Sequence, residues 1–182
     1  MVLIGLLYSY TCYWYRPEKL IHYEYTIQIS SVSSQNETFC VYVPLLISKD
    51  GLPSKRNHLF NFIEGKGVFE INQTEKGFAL SIVTNSSISL KLNVKYSTSK
   101  GDGYNEGPFL SMKENTTYPM SWNEYEKNKN HWIFYNGTNN NDLALSLDYN
   151  IHGYDYGKHI TMNKKISGGW NLCNVTTSGA WA

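Results

Sequence analysis

The sequence predicts an all-β protein: an antiparallel β-sandwich of jelly-roll-like form with a short N-terminal hydrophobic segment. Three observations carry that expectation. Apolar and polar residues alternate with a period of two in at least five separate stretches, which places one set of side chains on each face of a strand. Charged residues make up 17% of the chain and aromatic residues 15%, against about a quarter charged in ordinary globular proteins. Tyr, Thr, Ser and Asn take the place of the charges; aromatic and β-branched residues pack on a pleated surface, whereas Asn and Ser compete with helical backbone bonds. Turn signals recur about every ten residues through the middle of the chain, the spacing of a sandwich or barrel.

The elements follow in chain order. Residues 1–15, MVLIGLLYSYTCYWY, carry no charged side chain. They fall short of the roughly 20 apolar residues of a spanning helix and have no positive region ahead of the apolar run, as a signal peptide would. Three readings stay open: an export signal or membrane anchor whose upstream part is missing, a buried first strand, or a lipoprotein signal acylated at Cys12. The aromatic group Tyr8, Tyr10, Tyr13, Trp14 and Tyr15, followed by Arg16 and Lys19, has the composition of a membrane-interface belt. The expected division is therefore a partial anchor or signal over 1–16 and one extracellular β-sandwich domain over 17–182.

Residues 20–31 put Ile21, Tyr23, Tyr25, Ile27 and Ile29 on one face and His22, Glu24, Thr26, Gln28 and Ser30 on the other. The turn SSQNE leads to a second strand ending at Pro44, and the two are expected to pair as a hairpin. Residues 48–58 form a loop marked by Asp50-Gly51 and Pro53, and 59–63 fit either a helical turn or a short strand. A strand at VFEIN, a turn at Glu75-Lys76-Gly77, the strand FALSIV, a turn at Asn85-Ser86-Ser87 and the strand ISLKLNVKYS compose an expected meander. Residues 97–118 are Gly- and Ser-rich loop. The stretch 121–130 has a capping-box pattern but is short and Asn-rich for a helix. Strands resume at 131–136 and 143–151, then at KHITMNKKI and WNLCNVTTS, for eight to ten in all.

Six N-x-[ST] sequons occur, at Asn36, Asn72, Asn85, Asn115, Asn136 and Asn174. With 19 asparagines and about 16% Ser plus Thr, about three would arise by chance. The excess favours a glycosylated outer surface, whereas Arg16 and Lys19 beyond the apolar segment favour a cytoplasmic body. Of the three cysteines, Cys12 lies in the apolar segment, leaving Cys40 and Cys173 as the candidate disulfide, with two separate thiols as the alternative.

The balance of 16 basic and 15 acidic residues lacks the clustered positive charge that displaces phosphate counterions, so nucleic acid is not an expected partner. No G-x-S-x-G, H-E-x-x-H, P-loop or G-x-G-x-x-G motif is present, and no cofactor is expected. Asp102, Asn105 and Glu106, in the loop GDGYNEG, could supply oxygen ligands to Ca²⁺, although without EF-hand spacing they read first as a solvated turn. His152 and His159, with Asp155, could meet across a hairpin as metal ligands but read first as loop residues. Glu24, Glu70, Asp148 and Asp155 are the acids from which a glycoside-hydrolase pair would be drawn, with no spacing to favour it. Aromatics cluster in the C-terminal half: Trp122, Tyr125, Trp132, Tyr135, Tyr149, Tyr154, Tyr156 and Trp170. Trp132 and Trp170, within strands, are expected to fill the space between the sheets. Trp122, Tyr154 and Tyr156 are the candidates for stacking against a sugar.

The phrases YEYTIQI, YVPLLISKDG, TEKGFALSI and SLDYNIHG…ISGGW, over roughly residues 20–95 and 140–171, resemble uncharacterised exported proteins of archaea in which a membrane segment precedes one extracellular β-sandwich. The resemblance implies a surface-exposed domain and carries over no site residue. Together these readings give an expected function: a non-catalytic cell-surface domain at the outer face of the membrane, serving envelope structure or protein contact, with the membrane and cell-surface proteins or glycans as partners. A carbohydrate-binding module is the alternative, and a glycoside-hydrolase-like enzyme a more remote one.

Overall fold

The computed structural model describes residues 19–31, 38–98, 109–119, 125, 129–136, 142–152 and 157–179. It is an all-β sandwich of antiparallel sheets. The strands are β1 (Lys19–Ser31), β2 (Phe39–Pro44), β3 (Leu46–Ile47), β4 (Asn61–Glu64), β5 (Gly67–Thr74), β6 (Gly77–Thr84), β7 (Ile88–Thr98), β8 (Phe109–Leu110), β9 (Asn130–Asn136), β10 (Leu143–His152), β11 (Gly157–Ile166), β12 (Gly169–Asn174) and β13 (Thr176–Ser178). Six form one sheet in the order β13-β11-β10-β1-β7-β4; five form the facing sheet in the order β12-β9-β2-β6-β5; β3 and β8 pair apart.

Strand β1 lies inside its sheet, paired with β10 from His22↔His152 to Ser31↔Leu143 and with β7 from Lys19↔Thr98 to Ile29↔Ile88. Its alternation delivers Tyr23, Tyr25, Ile27 and Ile29 to the interior with no exposed surface. There they meet Leu90 and Leu92 of β7, Leu147 and Tyr149 of β10, and Val41, Val43, Leu80, Ile82 and Ile133 of the facing sheet. The Tyr25 ring stands edge-on to Tyr149 and to Phe60, each at 5.6 Å between centroids. Its hydroxyl donates to the Pro44 carbonyl at 2.8 Å, joining the two sheets.

Two expected connections are not made. β1 and β2 do not form a hairpin but lie in opposite sheets, β2 pairing with β6 and β9. The meander also breaks after β6, because the turn at Asn85-Ser86-Ser87 carries the chain across to the other sheet. A turn signal fixes where the chain bends; which sheet the next strand joins depends on where its apolar face finds cover. The β5–β6 hairpin does form, with Thr74 opposite Gly77, and Gly77 at φ +106° closes the turn. Of the two options open for residues 59–63, the strand is formed, as β4, while the expected loop over 48–58 contains most of a 3-10 turn at Lys55–Leu59.

The Cys40–Cys173 bridge is not formed; both thiols are free. β9 runs between their strands, which sets those strands about 9–10 Å apart, and the register offsets the two cysteines along β9 as well, from Asn136 to His131; the separation is far beyond what a disulfide tolerates. Cys40 pairs with Asn136 and Cys173 with His131, positions of opposite parity on β9. Cys173 accordingly points into the core and Cys40 outward.

Candidate functional site

Among the described residues, the outer face of the five-stranded sheet carries a cluster of rings outside the core. Even-numbered positions of β2, β9 and β12 point away from the interior, and Tyr42, Phe134 and Trp170 fall into one register row across the three strands. Their centroids are 5.2 Å apart for Tyr42–Phe134 and 5.1 Å for Phe134–Trp170. All three are half-buried. Beside them lie Trp132 and Leu172, paired across β9 and β12, with the Lys76 ammonium 4.7 Å over the Trp132 ring. Cys40, Val83 and Val68 extend the apolar surface to the sheet edge, where Val68 is 68% exposed. Burial raises the Tyr42 phenol above its ordinary range, and neighbouring Cys40 and Glu70 add to the effect.

This placement corrects the expectation for the tryptophans. Trp132 and Trp170 are on the outer face, and the interior positions of β9 are His131, Ile133 and Tyr135. β9 is apolar on both faces, so its alternation did not indicate which face was inside. Tyr125, Tyr135 and Tyr149 of the same cluster are core residues. The stacking candidates Trp122, Tyr154 and Tyr156 lie outside the described residues, as do Asp102, Asn105, Glu106, Asp155, Asn36 and residues 1–16.

The other five sequon asparagines are exposed or half-buried. Asn72, Asn136 and Asn174 stand on β5, β9 and β12 with the outward parity of the aromatic row, while Asn85 and Asn115 occupy turns. The Asn72 amide donates to Glu70 Oε1 at 3.2 Å and the Asn174 amide to Asn130 Oδ1 at 3.0 Å.

The outer face of the six-stranded sheet is polar. Glu24 pairs with Lys91 at 2.6 Å. Asp148 accepts from the Asn150 amide at 2.7 Å and lies 3.1 Å from His159 Nε2, while His22 Nε2 is 2.8 Å from Asn93 Oδ1. Of the acids considered for hydrolysis, Glu24 and Asp148 thus share a face, each engaged by a cation or amide on an open sheet surface; Glu70 stands on the other sheet. His152 meets the His22 ring at 6.3 Å, and His159 meets Asp148. Among the described residues no group of three or more His, Cys, Asp and Glu could hold a metal, and no helix is long and apolar enough to cross a membrane.

One polar cluster gave no signal in the sequence. Residues 111–114 run beside β9, with Lys113 bridged to His131 and Trp132 N donating to the Met112 carbonyl at 2.7 Å. Lys113, His131 and Lys158 are all buried, and with Tyr125, Lys129, Val175 and Thr177 they line a small cavity. Burial, followed by the charge of Lys158, lowers Lys113 to about 7. Burial lowers His131 to about 4, against the Ser111 carbonyl, to which His131 Nδ1 donates at 2.9 Å. Burial also lowers Lys158 and raises Tyr125.

Comparison with protein-family models, with curated proteins and with solved structures found no match to this chain.

Proposed function

We propose that this chain is a non-catalytic domain displayed at the outer face of the cell membrane, tethered through its N-terminal hydrophobic segment, that makes a protein contact through the outer face of its five-stranded sheet. The observation that carries the reading is the register row Tyr42–Phe134–Trp170, with Trp132 and Leu172 beside it. Half-buried aromatic rings set among aliphatic side chains and rimmed by Lys76, Glu70 and asparagines have the anatomy of a protein interface, in which a few Trp and Tyr anchors supply most of the affinity. The excess of sequons at reachable positions supports an extracellular setting, as does the resemblance to exported archaeal proteins.

A second reading is carbohydrate binding at the same rings, favoured by the polar side chains of Asn136 and Asn174 at the margin of the aromatic row. Co-sedimentation of the purified chain with envelope fractions separates the two. Protease treatment of the envelope abolishes binding to a protein partner, and periodate oxidation abolishes binding to a glycan. The double variant F134S/W170S is expected to lose binding at least tenfold in either case. Binding that survives the double substitution, or native chain found in the cytosolic fraction with every sequon unmodified, removes the proposal.

A further inference from the structure

The two main sheets end in four edge strands, β13, β4, β12 and β5. Three of them are blunted. β13 is three residues long; β4 is four, and its register with β7 shifts between Phe62 and Glu64. On β12 the Gly169 carbonyl accepts from the Asn171 amide at 3.0 Å and the Leu172 carbonyl from Lys164 Nζ at 2.9 Å. Such features keep a sheet edge from recruiting another strand. β5 differs. It runs for eight residues, GVFEINQT, without Lys or Pro, and its register with β6 is unbroken from Gly67↔Thr84 to Thr74↔Gly77. Its one charged residue, Glu70, has the outward parity of Asn72, so neither these side chains nor a sugar on Asn72 lies along the edge.

The hairpin fixes which backbone groups of β5 face the edge. Thr74 and Gly77 close a two-residue turn and exchange both of their hydrogen bonds, and such pairs recur at every second residue. Val68, Glu70, Asn72 and Thr74 therefore bond to β6, while the N–H and C=O of Gly67, Phe69, Ile71 and Gln73 point away from it. Among the described residues β6 is the only strand that β5 pairs with. Apolar surface gathers at the same margin. Val68 is 68% exposed, Ile71 43% and Val83 37%. Ile63 is 59% exposed on β4, which stacks against β5 through the Phe62 and Phe69 rings at 5.9 Å.

We propose that β5 pairs with β5 of a second copy of this chain, antiparallel about a two-fold axis through Ile71, joining two five-stranded sheets into one. A two-fold contact needs a self-complementary patch, and β5 supplies it. Only edge-facing residues exchange bonds across the axis, so the axis passes through a residue rather than between two. An axis through Glu70 sets that carboxylate against its own copy, a destabilising like-charge pair. An axis through Phe69 or Asn72 pairs only residues 67–71 or 70–74 of the strand. An axis through Ile71 pairs the longer stretch 68–74: Ile71 meets Ile71, Phe69 meets Gln73, Glu70 meets Asn72, and no like charges oppose one another. Ile71 thereby loses its exposed apolar surface, and the edge-facing groups of Phe69, Ile71 and Gln73 gain partners. Both aromatic rows then share one outer face, but the pairing does not depend on what those rows bind.

Sedimentation equilibrium of the full chain from about 1 μM to about 1 mM spans the affinities open to a contact of one strand pair. The average mass is expected to climb from that of one chain toward that of two. Ile71→Lys places a charge on the axis, as protected edges do, and should weaken association about tenfold or more. Ile63→Lys, on the neighbouring edge, should leave association unchanged. Hydrogen exchange on the unsubstituted chain needs no variant. The amides of Phe69, Ile71 and Gln73 should slow as concentration rises, while those of Glu70 and Asn72, already bonded to β6, change little. A monomer across the whole range, equal association of wild type and I71K, or slowing confined to other strands means that β5 is an open edge and overturns the proposal.

Discussion

Tyr25 joins the two sheets through one phenol, and its hydroxyl is the only part the apolar core would not accept without a partner. Replacing it with Phe leaves the Pro44 carbonyl without that donor, and urea denaturation should show a loss of about 1–3 kcal/mol. His131 makes a pH-dependent contribution whose sign follows from its burial. Its folded value of about 4 lies below the ordinary 6.5, so the unfolded chain binds the proton more readily. Stability is whole above about pH 6.5 and falls as pH drops through 4, by on the order of 3 kcal/mol. H131Q should start less stable at neutral pH and show a shallower loss over that interval in denaturant midpoints measured against pH. These residues were unequally legible. Tyr25 sits in an uninterrupted alternation whose other face is wholly polar, so its inward direction could be read. His131 shares a strand with Trp132 and Phe134, and hydrophobicity pointed those rings inward and the histidine out. Lys113 and Lys158 come together only through tertiary structure.

At the scale of elements, the connection from β3 to β5 depends on two residues. The Asn57 side chain imitates a strand partner for Leu46, accepting from its N–H at 3.1 Å and donating to its carbonyl at 2.7 Å, with a further bond to the Ser54 carbonyl. Asn57→Ala leaves the Leu46 N–H short of a buried partner, while the Leu46 carbonyl keeps the Ser54 N–H at 2.8 Å, and should cost about 1–3 kcal/mol in equilibrium unfolding. Gly65 turns the chain from β4 to β5 at φ +75°, and a Cβ there would lie 2.4 Å from the Ser87 carbonyl oxygen. Gly65→Ala combines backbone strain with a clash against backbone and should lower stability by at least about 2 kcal/mol, readable as a drop in melting temperature. The β5–β6 hairpin was legible because its turn residues and both alternating strands are contiguous. The pairing of β1 was not, because its partners are set by which apolar faces must cover one another, and local turns are silent about that.

For the whole molecule, the alternation and the scarcity of charge were enough to give a sandwich, while the order of strands within each sheet was not. That order decides the fate of the cysteines. In a Cys12→Ser background, Cys40 should react with an aromatic disulfide reagent in the native protein. Cys173, buried and with its thiol pushed above the usual range, should react only on unfolding. Two thiols should titrate in denaturant, and none would mean that the bridge forms after all. The order also sets a schedule for synthesis. β1 leaves the ribosome before every other described strand, yet its two neighbours, β7 and β10, begin at Ile88 and Leu143. At about 5–20 residues per second, it waits several seconds for the first and about 6–25 seconds for the second. Until β10 emerges, a strand with Tyr23, Tyr25, Ile27 and Ile29 along one side has at most one of its two neighbours. The nascent chain therefore has a built-in dependence on whatever shields that strand, and slowing translation between residues 98 and 143 should lower the yield of folded protein more than the same pause placed after residue 166.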